Sequence, residues 1–489
     1  MGPTNTNGVS QDSVIDEVRV EAMRIAGERV HRDETIDVCY PYTGEVIATV
    51  PKATLDDVRR AFRIAKQYQS KLTRADRYNI LMRARDLIAA RRDEIARLIT
   101  LESGLCLMDT LHEVGRASDV LLFSANQALI DDGQVFSCDL TPHGKQRKVY
   151  TMRQPLLGAI SAITPFNHPL NQVIHKVAPS IATNNRMVLK PTEKTPLAAI
   201  LLADILYEAG LPPEMLSVIT GDPKDIADEM LTNPDVDLVT FTGGVAIGKY
   251  IAAKAVYKRQ VLELGGNAPF IIMEDADLAK AAAMTAAGSY KNSGQRCTAV
   301  KRIFVQESVA KEFGELLMKE TKALKFGDPL DPTTEIGTVI DEEAAMRFES
   351  LVINAVEHGA ELLYGNKRVG AQYCPTLVDK VRPEMDLIKY ETFGPVSPLT
   401  RFKTIDEVIG LVNASPYGLS AGVYTNRMDY ITRFISELQV GTVNICEVPG
   451  YRLELTPFGG IKDSGLGYKE GVIETMKGYT NVKTYSLPW

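Results

Sequence analysis

The chemistry in this chain starts from a thiol in a flexible turn and a carboxylate on the edge of a glycine pair. The thiol is Cys297, in Gly294-Gln295-Arg296-Cys297, where the preceding arginine favours the reactive thiolate. The carboxylate is Glu263, in Leu262-Glu263-Leu264-Gly265-Gly266-Asn267, whose apolar flanks predict partial burial and a pKa raised toward a useful base. A thiolate attacks carbonyl carbon, and a carboxylate activates the water that releases the product. Each residue also has a plainer reading. Most cysteines are small buried hydrophobes and most glutamates are solvated.

A third stretch, Gly243-Gly244-Val245-Ala246-Ile247-Gly248-Lys249, matches the spacing of a nucleotide-hydrolase phosphate loop. It fails at the next residue, Tyr250, where that loop needs a Ser or Thr hydroxyl for magnesium. It is not the G-x-G-x-x-G dinucleotide fingerprint either. What is left is a glycine turn opening a helix, whose free N–H groups suit a diphosphate and equally suit an ordinary strand-to-helix turn.

These residues need elements to position them. From residue 158, apolar runs at 158–163, 187–189, 216–220 and 237–241 alternate with helical patterns at 171–183, 195–208 and 223–231. That rhythm predicts a parallel sheet with crossover helices, which binds ligands beyond the carboxyl ends of its strands. Residues 164–168, 190–193 and 242–244 fall at those ends. A second α/β stretch runs from 268 to about 442, with helices predicted at 275–287, 309–324 and 344–358 and strands at 302–305, 395–402 and 420–424. Upstream, residues 36–50 read as a hairpin. Thr54 with Asp57 and Thr73 with Asp76 read as helix starts. A further helix carries Leu111, Val114, Ala117 and Leu121. Arg116 points off its apolar stripe and, taken alone, reads as a solvated surface charge.

The chain of 489 residues is too long for one core and implies two or three domains. Its net charge of −7 gives no electrostatic case for a nucleic-acid partner. No apolar run is long enough to span a bilayer, and the polar residues 1–16 lack the order of a secretory signal. Six cysteines occur without a Cys-x-x-Cys pair or a histidine cluster, which speaks against a metal site or disulfide scaffold and for reduced thiols in the cytoplasm. The tail 479–489, with Val482, Tyr485 and Trp489, is expected to dock on a partner subunit or its own domain, and residues 134–150 could be the strand it meets.

The sequence resembles the aldehyde dehydrogenase superfamily over nearly its whole length. The stretches that carry the resemblance are Thr164-Pro165-Phe166-Asn167, Lys190-Pro191-Thr192-Glu193, Phe241-Thr242-Gly243, Glu263-Leu264-Gly265-Gly266, Gly294-Gln295-Arg296-Cys297, Glu391-Thr392-Phe393-Gly394-Pro395 and Pro457-Phe458-Gly459-Gly460. The resemblance implies an α/β fold with a Rossmann-type cofactor domain (1–132 and 151–263), an α/β catalytic domain (264–465) and a small β arm (133–150 and 470–489) that joins homodimers or homotetramers. It implies Cys297 as nucleophile, the Asn167 amide with the Cys297 N–H as oxyanion hole, and Glu263 as the base toward a thioester. It implies NAD as cofactor. Lys190 and Glu193, with Thr192, would hold the adenosine ribose, and Thr242 and Gly243 would lie by the diphosphate. Glu391 and Phe393 would position the nicotinamide ribose, and Thr164, Pro165, Phe166, Phe241, Gly244 and Leu264 would line the site. Gly244 stands where members often carry Ser, so no side chain there bonds the diphosphate.

Arg116, His168, Arg296 and Arg452, with Thr298, fall at positions that face the family's substrate tunnel. Three guanidinium groups and an imidazole converging on one anion fit a phosphate-like head group, since arginine's planar fork donates two parallel hydrogen bonds. Members acting on phosphorylated or phosphonate aldehydes carry basic residues at matching places. The implied reaction is therefore phosphonoacetaldehyde to phosphonoacetate. Succinate semialdehyde, lactaldehyde and glyceraldehyde 3-phosphate are the alternative substrates. A coenzyme A-acylating activity, which has no use for Glu263, and a non-enzymatic structural role are the remaining ones.

Overall fold

Two seven-stranded sheets, each built from strands alternating with helices, organise the computed structural model, which describes residues 17–488. The first sheet runs in the order Arg259–Glu263, Val236–Thr242, Ala159–Thr164, Met187–Pro191, Leu216–Val218, then the hairpin Met23–Ile25 and Glu28–Val30. Its first five strands are parallel, and the hairpin adds on antiparallel. The central strands are apolar and buried because helices cover both faces.

Eight helices complete this Rossmann-type layer: α1 (Leu55–Gln67), α2 (Arg74–Ala90), α3 (Arg92–Ser103), α4 (Leu107–Ala128), α5 (Asn171–Ala182), α6 (Leu197–Glu208), α7 (Pro223–Thr232) and α8 (Val245–Lys254). Leu81, Ile99, Val120, Val173 and Leu202 mark the core under α2 to α6. Val58, Phe62, Ile226, Met230 and Ile251 mark the opposite face, under α1, α7 and α8. Both expected capping boxes form: Thr54 and Thr73 each exchange hydrogen bonds with the aspartate three residues on. Such a cap is worth about 1 kcal/mol.

The second sheet has the order Glu361–Tyr364, Thr376–Asp379, Val396–Phe402, Arg302–Gln306, Pro269–Ile272, Ser420–Tyr424, Thr442–Ile445, with only the first strand antiparallel. The helix expected from 275 starts instead at Leu278, because the Asp277 carboxylate accepts the Lys280 N–H and sets the N-cap there.

A three-stranded antiparallel arm stands apart from both sheets. Lys148–Pro155 is its centre, flanked by Val135–Ser137 and Thr480–Leu487. The central strand runs past residue 150, and Val472–Gly478 is a helix rather than part of the arm. Tyr150 and Tyr485 stack with ring centres 5.3 Å apart. Val135, Phe136, Leu140, Met152 and Val482 are exposed. Residues 1–16 and Trp489 lie outside the described residues. Among the described residues no helix is long and apolar enough to cross a membrane, and no group of three His, Cys, Asp or Glu residues stands ready to hold a metal ion.

Candidate active site

Asn292, Ser293 and Gly294 all adopt left-handed backbone conformations, with φ of 62°, 51° and 70°, just ahead of Cys297. The two non-glycine residues each cost of order 1–3 kcal/mol there and persist only because their surroundings enforce them, whereas Gly294 adopts this region freely. Asp109 of α4 accepts the Asn292 N–H at 2.7 Å, and the Asn292 side chain donates to the Asn167 carbonyl at 2.9 Å. The Gln295 side chain accepts the Ile340 N–H at 2.9 Å. Gly294 has no substitute, since a Cβ there would stand 2.2 Å from the Gly394 carbonyl oxygen. Gly266 lets the loop after Glu263 lie directly on the cysteine turn. A Cβ on it would meet the Cys297 carbonyl oxygen at 2.6 Å.

Cys297, Glu263 and Asn167 line one cavity of about 560 Å³. The Cys297 N–H has no backbone acceptor among the described residues. The Asn167 amide donates to the Gln295 carbonyl at 2.9 Å and lies 3.2 Å from His168 Nδ1. Glu263 is buried and neither carboxylate oxygen has a partner among the described residues. Burial, then the nearby Glu470 charge, raises its pKa well above the usual carboxylate range. Burial also raises the Cys297 thiol, against which Lys301 and Arg452 favour the thiolate. Arg296 is close enough for its charge and that of a Cys297 thiolate to favour each other, as expected, although its Nη2 donates to the Gly288 carbonyl at 2.6 Å and the residue lines a different cavity.

Pro165, Phe166, Thr242, Gly243, Gly244, Leu264, Glu391 and Phe393 line the same cavity as Cys297. Phe166 and Phe393 meet edge to face at 5.8 Å. The hydroxyl of Thr242 is buried without a partner, and α8 begins at Gly244 with no side-chain cap. Free N–H groups at that helix start and an orphaned hydroxyl fit the diphosphate of a dinucleotide. Glu391 is held by an ion pair with the buried Lys301 and accepts the Gly266 N–H at 3.2 Å. Lys301, which no sequence motif marks, also stands 4.7 Å from the Phe393 ring centre.

Thr164, Lys190, Thr192, Glu193 and Phe241 are not among the residues lining this cavity. Thr164 and Pro191 end neighbouring strands in register, and the Thr192 N–H donates to the Thr164 carbonyl at 3.1 Å. Lys190 and Glu193 pair at 3.6 Å. Phe241 packs beneath Gly243. Lys249, the lysine of the rejected phosphate loop, pairs with Asp463 at 2.8 Å instead.

A second cavity, of about 410 Å³, is lined by Arg116, His168, Arg296 and Arg452. The fold thus brings these four together from four distant segments, while Thr298 lies to the side against Gly450. The geometry corrects two expectations and sets the state of His168. Arg116 is not a solvated charge but pairs with the buried Glu454 at 2.5 Å. Arg452 shares that carboxylate at 3.2 Å, as does His175 at 2.7 Å, so two of the three guanidinium groups already have an acid partner. Burial raises the Glu454 pKa, but Arg452, His175 and Arg116 outweigh it and hold the group ionised. His168 is a neutral donor or acceptor rather than a cation, because burial, with Arg116, Arg296 and Arg452 adding to it, lowers its pKa well below the usual value. Lys291, also on this wall, escaped notice because a lone lysine in sequence reads as surface.

Two dipeptides straddle the two cavities. Asn167 and Cys297 face the first, and their neighbours His168 and Arg296 face the second. A small molecule anchored among cations in one can therefore present a carbonyl to the thiol in the other.

The model of the aldehyde dehydrogenase family matches residues 29–485. The 3-sulfolactaldehyde dehydrogenase of Priestia aryabhattai is 38% identical over 458 residues, covering 94% of this chain and 96% of that one. The sulfoacetaldehyde dehydrogenase of Neptuniibacter caesariensis is 36% identical, covering 89% and 94%. The solved NADP-dependent glyceraldehyde-3-phosphate dehydrogenase of Bacillus halodurans, complexed with NADP, superposes with a TM-score of 0.93 at 35% identity, covering 96% of this chain and 99% of that one.

Proposed function

The chain belongs to the aldehyde dehydrogenase family and oxidises an aldehyde; on that premise we propose that its substrate carries an anionic head group and that phosphonoacetaldehyde, giving phosphonoacetate, is the preferred one. The observation that carries this reading is the cationic cavity of Arg116, Arg296, Arg452 and Lys291 beside the Cys297 cavity. Of these cations only Arg116 and Arg452 have an acid partner among the described residues, and they share it.

The anion sits among these cations and the carbonyl reaches Cys297. The thiolate attacks, a C–S bond forms, and the oxygen's new charge falls to the Cys297 N–H and the Asn167 amide. The amide's contact with His168 is the longer of its two and the one a substrate oxygen replaces. A bound nicotinamide dinucleotide supplies the hydride acceptor. With the acyl group on Cys297 as a thioester, Glu263 takes a proton from water as its oxygen attacks the acyl carbon, and the thiolate departs. A buried, unpartnered carboxylate is a strong base once ionised, which favours hydrolysis over transfer to coenzyme A.

The cofactor is NAD, with Lys190, Thr192 and Glu193 at the adenosine ribose. Glu193 supports this choice, since its carboxylate suits ribose hydroxyls and repels a 2′-phosphate. The arm, with Val135, Phe136 and Val482 exposed, joins chains into a homodimer or homotetramer. Six free thiols suit the cytoplasm.

Sulfonated aldehydes are the second reading, favoured by the named substrates of the two relatives. A phosphonate and a sulfonate both offer three oxygens, but the phosphonate brings nearly two charges to a cavity where two cations, Lys291 and Arg296, have no ion-pair partner among the described residues. The test is kcat/KM with NAD for phosphonoacetaldehyde, sulfoacetaldehyde, succinate semialdehyde and acetaldehyde. Phosphonoacetaldehyde should lead and acetaldehyde trail by orders of magnitude. A lead for sulfoacetaldehyde transfers the assignment to the second reading, and parity for acetaldehyde removes the anion altogether.

A further inference from the structure

Glu454 divides the cations of the substrate cavity into two classes. Arg116 and Arg452 bind it directly, and with His175 they form a buried cluster around one carboxylate. Arg452 is further occupied by the Phe458 ring, 4.1 Å from its guanidinium carbon. These two arginines are locked by protein contacts and much of their charge is spent. Arg296 has a carbonyl partner, Gly288, but no acid within ion-pair distance among the described residues. The Lys291 ammonium has neither a hydrogen-bond partner nor an ion-pair partner among them, although the residue lines the cavity.

Lys291 is not a solvent-facing lysine in ordinary surroundings. It follows the helix Leu278–Tyr290 and opens the strained turn that leads to Cys297. Burial lowers its pKa, Asp109 opposes that, and Arg296 and Arg116 are close enough to lower it further. Asp109 acts on it only from beyond ion-pair distance, and the Asp109 Oδ2 already accepts the Asn292 N–H at 2.7 Å and the Cys106 thiol at 3.4 Å. A cation held near two others without an acid of its own is a binding group awaiting an anion.

Building on the reading that the substrate is an anionic aldehyde, we propose that Lys291, together with Arg296, is the cation that reads the substrate's head group, and that the Glu454-bound Arg116 and Arg452 serve mainly to shape the cavity. Lys291 is a specificity determinant through a flexible, point-like charge, which accepts sulfonate, phosphonate or carboxylate oxygens without the fixed fork of an arginine.

The test compares wild type, Lys291→Met and Lys291→Arg with the anionic aldehyde that wild type turns over best and with acetaldehyde, at saturating cofactor. In Lys291→Met the KM for the anionic aldehyde should rise about ten- to a hundredfold, the range of a lost hydrogen bond to a charged group. Its kcat and the constants for acetaldehyde should hold, and Lys291→Arg should recover most of the loss. A second readout needs no turnover: the phosphonoacetate concentration that half-protects Cys297 from iodoacetamide should rise by a similar factor in Lys291→Met. Unchanged KM and protection overturn the assignment while leaving the anionic-substrate reading intact. Equal losses for both aldehydes make Lys291 structural and also overturn it. A wild type that prefers acetaldehyde sinks both ideas.

Discussion

At Cys297 the thiol sits between opposing influences. Burial raises its pKa, and Lys301 and Arg452 pull it down. Lys301 is fully buried and also clamps Glu391, so one side chain bears on both the proposed nucleophile and a wall of the proposed cofactor site. In Lys301→Met the thiol loses a nearby positive charge, so its pKa should climb. The thiolate fraction at any fixed pH should fall, and the midpoint of iodoacetamide alkylation against pH should move upward. An unmoved midpoint would show that Lys301 does not act on the thiol. At Glu193 the expected result is NAD preference in wild type, weakened in Glu193→Ser as kcat/KM with NADP rises. Better use of NADP by wild type would contradict the ribose assignment. Cys297 and Glu263 were singled out in the sequence through the family motifs that contain them, and the structure brings the two to one cavity. Lys301, Lys291 and Glu454 were not, because each acquires meaning from a partner or an emptiness created by residues far along the chain.

Among the elements, α4 does most to assemble the site. Asp109 clasps the cysteine turn through the Asn292 N–H, and Glu113, one turn on, accepts the N–H groups of Leu170 and Asn171 at 2.9 Å each, at the start of α5. The helix thus fixes both segments that carry the proposed oxyanion donors, and Arg116 ties in the 452–454 loop. Asp109→Ala orphans a buried N–H in a strained turn, at a cost of roughly 1–3 kcal/mol. The expected outcome is a lower melting temperature and a kcat reduced about tenfold or more, since small misplacements of reacting groups are costly. Wild-type kcat in a folded Asp109→Ala protein would show that the turn holds itself. The capped helices and the longer strands were readable from periodicity and from Thr-x-x-Asp signals. The short strands Pro269–Ile272, Thr376–Asp379 and Thr442–Ile445 were not, because four residues carry too little pattern and only neighbouring strands make them strands.

For the whole molecule, the order of family motifs foretold the two α/β layers, and the structure adds how they meet. The first sheet delivers Glu263 and Asn167 from its strand ends, and the second domain delivers Cys297 and Glu391 across the same cavity. The arm leaves Val135, Phe136 and Val482 exposed on a small sheet, so Phe136→Asp with Val482→Asp should lower the mass measured by light scattering in solution. A wild type that is already monomeric would remove that role from the arm. The proposed reaction is oxidation of an anionic aldehyde as a thioester on Cys297, with release by Glu263. Intact-protein and peptide mass spectrometry on Glu263→Gln, quenched after mixing with NAD and phosphonoacetaldehyde, tests it most directly. A burst of NADH is expected, matched by a phosphonoacetyl adduct on the Cys297 peptide that is absent in Cys297→Ala. NADH formed at the full steady-state rate, with no adduct on that peptide, would contradict it.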